Sequence, residues 1–531
     1  MAVKIEKTES RDPLQITPRF SLTRNGRTVL ILAIAVAVSL SVFLFHLPFA
    51  KNSFLVDDSA DYLRAARDSG SSLYLNTNSA SPVELRILLR DRKFHDAPWD
   101  YLYFHDDNAA IRHFHAPFSF YAMHTVFVLG GSDRAQRLTV ATVTALSCGV
   151  LASGLLLFDV PIVLAVLAAL LAGVQSRYVE VSVDPTPHSW YMLFAVVFLL
   201  LFSKYLATQR FRSLVLAMVA LGFAFATLEF SLELIVSAPL ALAGLWATRR
   251  LTVADVLKIC RQIARATPAF LITTFVLWPG GWLRGGYLEC YGVTGATLVF
   301  KNKRAFGEKL TARIIYDKLF SHHAAIFAIF LFFLAALIYL AAKKKVSVYS
   351  AVFSSYAVTA LGLGIADHFR LGTYVSEFFL FLIAASVLLF WDLLPPAQAR
   401  RRVPIMVLGS VLLIAGILQE YSQRSGSIYF RPWLQPVFAG ISTNVPKGAT
   451  ILVNDNLEDF YTYLPGYDFE PTAERNSNLA RTSWRASAAR YFLLENDTPP
   501  PSDARRIGSW TTYAPDHALN LYVINQNLAA E

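Results

Sequence analysis

The residues with the clearest chemical potential are Asp57-Asp58-Ser59-Ala60-Asp61-Tyr62, a few positions beyond the first long apolar run. Adjacent carboxylates at a water interface could take a proton from a hydroxyl group. Asp58 or Ser59 could equally N-cap a helix that begins Ala60-Asp61-Tyr62, and the two roles are compatible. Further on stands Arg112-His113-Phe114-His115-Ala116-Pro117-Phe118. Pro117 suits the first turn of a helix, where its missing N–H costs nothing. His113 and His115 are two apart without an acidic or cysteine companion at ligand spacing, so no metal is indicated. Asp184 precedes Pro185-Thr186-Pro187-His188 and an apolar run. An acid followed by proline is a helix-start signature, so Asp184 reads either as a cap or as a functional acid. Glu229 and Glu233 lie four apart in an otherwise apolar region, and carboxylates at membrane level are functional candidates. A tight turn expected beside them would let both reach water.

The elements that must position these groups are membrane helices. Of 531 residues, 55% are hydrophobic and only 16% are charged, against about 25% charged in a soluble domain. Apolar runs fall near 28–49, 137–158, 160–176, 186–206, 213–228, 231–247, 265–282, 322–342, 346–364, 371–391 and 403–420. Each is about the length that crosses a bilayer as a helix. The expected fold class is therefore an α-helical polytopic membrane protein of about 11–13 transmembrane helices, followed by a small C-terminal α/β extracytoplasmic domain. The run near 117–130 is too short to span and reads as an interfacial or re-entrant helix.

Charge sets the orientation. The net charge of +10 is concentrated in short connectors rather than in a nucleic-acid-binding face, which argues against a nucleic-acid partner. With the basic N-terminal tail inside, Lys204/Arg210/Arg212, Arg249/Arg250/Lys258, Lys343/Lys344/Lys345 and Arg400/Arg401/Arg402 all fall on one side, as the positive-inside rule requires. This divides the chain into a cytoplasmic tail (1–27), a transmembrane region (28–420) with a long outer loop (50–116), and an outer domain (421–531). The strand-like runs Thr450–Val453, Arg490–Leu494 and Leu519–Ile524, with a helical stretch between them, define that domain. Its aromatic residues, Trp510 among them, read as core more readily than as a sugar-stacking face. Cys148, Cys260 and Cys290 are too dispersed for a disulfide framework.

Taken in order, these motifs resemble the GT-C glycosyltransferases, in particular the dolichyl-phosphate-mannose protein mannosyltransferases and the lipid A aminoarabinose transferase. Asp58 and Tyr62 match an Asp-x-x-x-Tyr motif after the first helix. His115-Ala116-Pro117-Phe118 matches a His-Pro-Pro-Leu-like motif opening a short helix, with Ala116 in place of the first proline. Gly131-Ser132-Asp133-Arg134 with Arg137-Leu138 matches the next segment, and Arg177 with Asp184 the second outer loop. The resemblance is carried by residues 28–210 and beyond them by topology alone.

What the resemblance implies is an inverting glycosyltransferase in the cell inner membrane, working at the outer leaflet. It would move a sugar from a polyprenyl-phosphate donor to a cell-envelope acceptor: glycan, lipid or protein. Asp58, with Asp57 and Asp184, would be catalytic, and Tyr62, His115, Arg137, Arg284 and Arg370 would bind substrate. Guanidinium groups suit a departing phosphate because they bind two of its oxygens together. Arg370, in Asp367-His368-Phe369-Arg370-Leu371, stands at the start of an apolar run and is expected at the rim or on a cavity; snorkelling or pairing with Asp367 is the alternative. Lys301, Lys303 and Arg304 read as a solvated loop. No cofactor is expected. Membrane lipids are the remaining partner. A lipid-sugar transporter or flippase is the alternative function, disfavoured by the absence of internal repeats; a binding scaffold would leave Asp58 without a chemical role.

Overall fold

The computed structural model describes residues 24–52, 62–63, 66, 104–105, 111–112, 116–228, 231–283, 312–321, 323–366, 375–394, 399–423, 434–453, 464, 466–471, 490–495, 500–501, 503–511 and 518–524. Over their described residues, the apolar runs read from the sequence coincide with helices, two of them broken into a pair. In chain order these are α1 (Arg24–Asn52), α2 (Phe118–Val128), α3 (Asp133–Leu157), α4 (Ile162–Val174), α5 (Ser176–Val183), α6 (Pro187–Thr208), α7 (Phe211–Phe225) and α8 (Ser231–Ala247). Then follow α9 (Val253–Leu277), α10 (Pro279–Leu283), α11 (Ala312–Phe320), α12 (Ala324–Ala342), α13 (Val348–Ala366), α14 (Val375–Leu393) and α15 (Ala399–Gln423). Hydrocarbon offers no partner to backbone polar groups, so spanning segments must satisfy them internally, as helices do.

Among the described residues, six helices are long and apolar enough to cross a membrane, and α4 with α5 makes a seventh if counted as one bent span. Their outward faces agree. On α1, Val29, Leu32, Val36, Leu40 and Leu44 are all more than half exposed at helical spacing, a stripe that lipid rather than water would cover. The opposite face of α1 packs on α3 so closely that Gly149 is needed: a Cβ there would sit 2.5 Å from the Ala35 carbonyl oxygen. At the other side of the bundle α13, α14 and α12 pack in series, with buried Phe353, Tyr356, Phe379 and Phe381 between them.

Local sequence explains several boundaries. The α2–α3 turn uses Gly130 at φ +81°, a backbone region glycine reaches without steric cost. The short helix expected near 117–130 is α2, eleven residues long. Helix α9 begins at Val253, well before the apolar run that starts near 265. A capping box of Thr252 and Asp255 starts it, and the first turns carry Lys258, Arg261 and Arg265, which mask the helix in a hydropathy reading. Between α4 and α5 the axis bends by 64° at Gln175, whose side-chain oxygen accepts from the Tyr178 N–H at 2.8 Å. Nothing in the hydropathy of this stretch marks the bend.

The C-terminal residues form α16 (Leu434–Asn444) and strands β3 (Thr450–Val453), β4 (Asp468–Pro471), β5 (Tyr491–Glu495), β6 (Ala504–Thr511) and β7 (Ala518–Ile524). Two short strands, β1 (Phe104–His105) and β2 (Ile111–Arg112), pair earlier in the chain. The five-stranded sheet has the order β4-β3-β5-β7-β6. Strand β3 is parallel to β4 and β5, and β7 is antiparallel to β5 and β6. The three strands expected from sequence are the central ones, β3, β5 and β7. Leu434, Val437 and Ile441 of α16 are buried with Ile451, Val453, Leu493, Leu519 and Leu521 of the sheet, and Trp510 packs against this core. The helical stretch expected between the strands lies outside the described residues.

Candidate active site

Asp57, Asp58, His115, Arg284 and Arg370 lie outside the described residues, as do Glu229, Lys301, Lys303 and Arg304. Tyr62, Arg137, Asp184 and the Ala116-Pro117 part of the histidine motif are described. These segments converge on one end of the bundle, where α1 and α5 end and α2, α3 and α6 begin.

Arg137 sits in the first turns of α3, buried, and its Nε donates to the Ala50 carbonyl at 3.0 Å. Ala50 is in the last turn of α1, and with Ala141 of α3 and Val183 of α5 it forms a small apolar cluster. Val183 immediately precedes Asp184. A guanidinium that fixes the end of α1 therefore stands where the Asp184 segment also packs. Tyr62 is buried, its ring edge-on to Phe120 of α2 at 5.9 Å, within a cluster that includes Leu63, Ala66 and Met123. The His124 Nδ1 lies 2.9 Å from the Ala66 carbonyl, and Gln136 Nε2 donates to the Met123 carbonyl at 2.7 Å. Helix α2 thus holds the Tyr62 segment against α3.

The start of α2 is docked just as closely. The Phe118 N–H donates to the Ala226 carbonyl at 2.9 Å, and the Phe118 ring meets Trp190, Phe194 and Phe223 edge-on. Ala116 is buried against Trp278. Lacking the first proline of the related motif, where Ala116 stands instead, this chain still seats the segment by backbone and aromatic contacts.

Asp184 is half-buried and ends α5. Its carbonyl accepts from the Thr186 N–H at 2.7 Å. Thr186, rather than Asp184, occupies the N-cap position of α6, with Pro187 in the first turn, and the Thr186 side chain makes no capping hydrogen bond there. Arg177, the other member of that motif, donates to Glu180 at 3.2 Å.

Polar residues from distant helices also meet at this end of the bundle, and of their carboxylates only Glu233 stood out in the sequence. His188 Nδ1 lies 3.0 Å from Glu377 Oε1, both buried. The Tyr191 and Tyr356 hydroxyls are 2.8 Å apart, and Tyr356 donates to Glu233 Oε2 at 3.1 Å. Glu233 is 3% exposed, so the turn beside it does not carry it to water; the Tyr356 hydroxyl satisfies it instead. His323 Nδ1 lies 2.8 Å from Glu420 Oε1, and the Ser176 N–H donates to Glu420 Oε2 at 3.1 Å. The signal that could have found them is a carboxylate in an apolar helix, which is costly unless paired. Among the described residues no group of three or more His, Cys, Asp or Glu side chains is placed to hold a metal ion.

This architecture has a solved counterpart. The crystal structure of ArnT from Cupriavidus metallidurans bound to undecaprenyl phosphate superposes with a TM-score of 0.53 over 95% of this chain and 99% of that one, at 12% identity. The apo structure of the same protein gives 0.52, over 94% and 98%, at 13% identity. No family model matches the sequence, and no curated protein does. The chain therefore shares the fold of that protein over nearly its whole length. At that identity the likeness is one of fold alone; it extends well past residue 210, through the transmembrane half where the sequence offered no motif.

Proposed function

We propose that this protein is a glycosyltransferase of the inner membrane. It transfers a sugar from a polyprenyl-phosphate donor to a cell-envelope glycan, lipid or protein, with inversion, at the outer leaflet. The observation that carries the reading is the fold shared along the whole chain with a protein solved with undecaprenyl phosphate bound. The gathering of the α1 end, Arg137 and the Asp184 segment at one end of the bundle supports it.

The chemistry is a single displacement. The acceptor oxygen forms a bond to the anomeric carbon while the bond from that carbon to the phosphate oxygen breaks. Polyprenyl phosphate departs with the electron pair. The acceptor proton passes to the Asp58 carboxylate, a general base worth about 10²–10⁴-fold. Asp57 and Asp184 complete the acidic group, and Tyr62 and His115 line the substrate site. Arg284 and Arg370 stabilise the departing phosphate, while Arg137 keeps the α1 end, and so the segment that follows it, in place. No cofactor takes part in this scheme.

The test is transfer by the purified protein from synthetic polyprenyl-phosphate sugars, comparing wild type with Asp58→Asn and Asp184→Asn. Asp58→Asn should lose about 10²–10⁴-fold in kcat, and Asp184→Asn should also fall. Undiminished transfer by Asp58→Asn removes it as the base.

A further inference from the structure

Two buried histidine–glutamate pairs bracket the one segment that carries Asp184. The segment begins at the 64° bend, where the Ser176 N–H donates to Glu420 and Glu420 in turn meets His323 through both oxygens, at 2.8 and 3.1 Å. It ends at His188, 3.0 Å from Glu377. Between these points Tyr178, Val179, Val181 and Val183 are buried, the Tyr178 hydroxyl donates to the Thr144 carbonyl, and the histidine–glutamate contacts stand at the two flanks of α5. The anchors come from distant chain: Glu420 from the last turn of α15, His323 from the start of α12, Glu377 from the first turn of α14. One turn along α6 from His188, Tyr191 continues through Tyr356 of α13 to Glu233 of α8.

We propose that these pairs are a positioning device for the reaction, with His188 and Glu377 as its principal positioning residues. They hold the Ser176–His188 segment, and with it Asp184, at a set height and angle to the α1 end. This rests on the transferase reading above. The physical reason is cost. Burying ion-pairing groups rarely stabilises a fold more than apolar residues of the same volume would, and in some proteins such pairs instead set a unique geometry. Apolar side chains at 188 and 377 would pack α6 on α14 but let the two helices slide. A histidine nitrogen and a carboxylate oxygen at hydrogen-bond distance do not. Glu377 also stands seven residues after Arg370 in the sequence, so one pair ties the Asp184 segment to the helix that follows a candidate phosphate ligand.

The test compares wild type with His188→Leu, His188→Asn and the double variant His188→Leu/Glu377→Met, measuring thermal unfolding and donor-dependent kcat and KM at equal folded amounts. Asparagine keeps a donor near the place of Nδ1; leucine does not. The expected result is that the apolar double variant regains the unfolding temperature lost by His188→Leu, yet stays about 10- to 100-fold low in kcat, the scale of a misplaced group, with KM little changed. His188→Asn should recover most of kcat. If the apolar pair restores both stability and kcat, or if His188→Asn and His188→Leu turn over equally, the pair serves only the fold and the proposal is overturned. A wild-type protein that transfers from no polyprenyl-phosphate sugar instead overturns the transferase reading, and the proposal with it.

Discussion

The α1–α3 crossing sets where the Asp58 segment leaves the membrane helices, and Gly149 is the residue that allows it. A methyl group at 149 would sit 2.5 Å from the Ala35 carbonyl oxygen, below the 3.0 Å that real Cβ contacts respect, and 2.1 Å from the Ser39 Oγ. The serine can rotate away; the carbonyl belongs to helix backbone, so the two helices must separate by at least about 0.5 Å there. Overpacking of this kind costs roughly 1–3 kcal/mol, against a helix-propensity gain of about 1 kcal/mol for replacing glycine by alanine. Gly149→Ala should therefore be neutral to about 2 kcal/mol destabilised, and transfer should slow as the α1 end moves relative to Arg137. Gly244 is the internal control, because a Cβ there meets nothing within 4 Å. Gly244→Ala should gain up to about 1 kcal/mol. The assay is thermal unfolding of both variants in the same detergent, followed by kcat. Equal stabilisation by the two substitutions would refute the close approach of α1 and α3.

Two further outcomes follow from buried and capping contacts. Glu420→Ala leaves the buried His323 ring and the Ser176 N–H without their carboxylate; breaking a buried pair on one side costs about 3–5 kcal/mol, visible as a large fall in unfolding temperature that Glu420→Gln largely spares. At the start of α9, hydrogen bonds from the Thr252 side chain and backbone hold the Asp255 carboxyl below the usual carboxylate range. A folded value below the unfolded one stabilises above about pH 4 and is lost as the pH falls through the folded value. Asp255→Asn should lower stability by about 0.3–1 kcal/mol at pH 7, and the gap should close under acid; a gap that is constant with pH contradicts the capping box.

The helices were legible because a run of apolar residues long enough to span is a self-sufficient signal, which tertiary context does not need to supply. What lay between signals was not. The first turns of α9 are amphipathic and basic, so hydropathy hid them, and the bend at Gln175 depends on one side-chain cap inside an apolar stretch. In the C-terminal domain the central strands β3, β5 and β7 showed as apolar runs. The edges β4 (Asp468–Pro471) and β6 (Ala504–Thr511) are polar, as edge strands tend to be, and gave no such signal. At the site, the packing around the α1 end of Arg137 and of the residue before Asp184, and of Tyr62 on α2, joins segments far apart in sequence. The pairs His188–Glu377 and His323–Glu420 join residues 189 and 97 positions apart, and no local pattern encodes such a meeting. Glu233 was expected near water because a turn is close by, but packing of α8 on α13 buries it under Tyr356.

The most direct measurement reconstitutes the purified protein in sealed vesicles carrying a synthetic polyprenyl-phosphate sugar of known anomeric configuration, with an acceptor supplied on one side, and follows both the fate of the sugar and its anomeric centre by NMR. We predict covalent transfer to the acceptor with the opposite anomeric configuration, slowed about 10²–10⁴-fold by Asp58→Asn. Movement of the intact sugar-lipid between leaflets without transfer, or a product that keeps the donor's configuration, would contradict it.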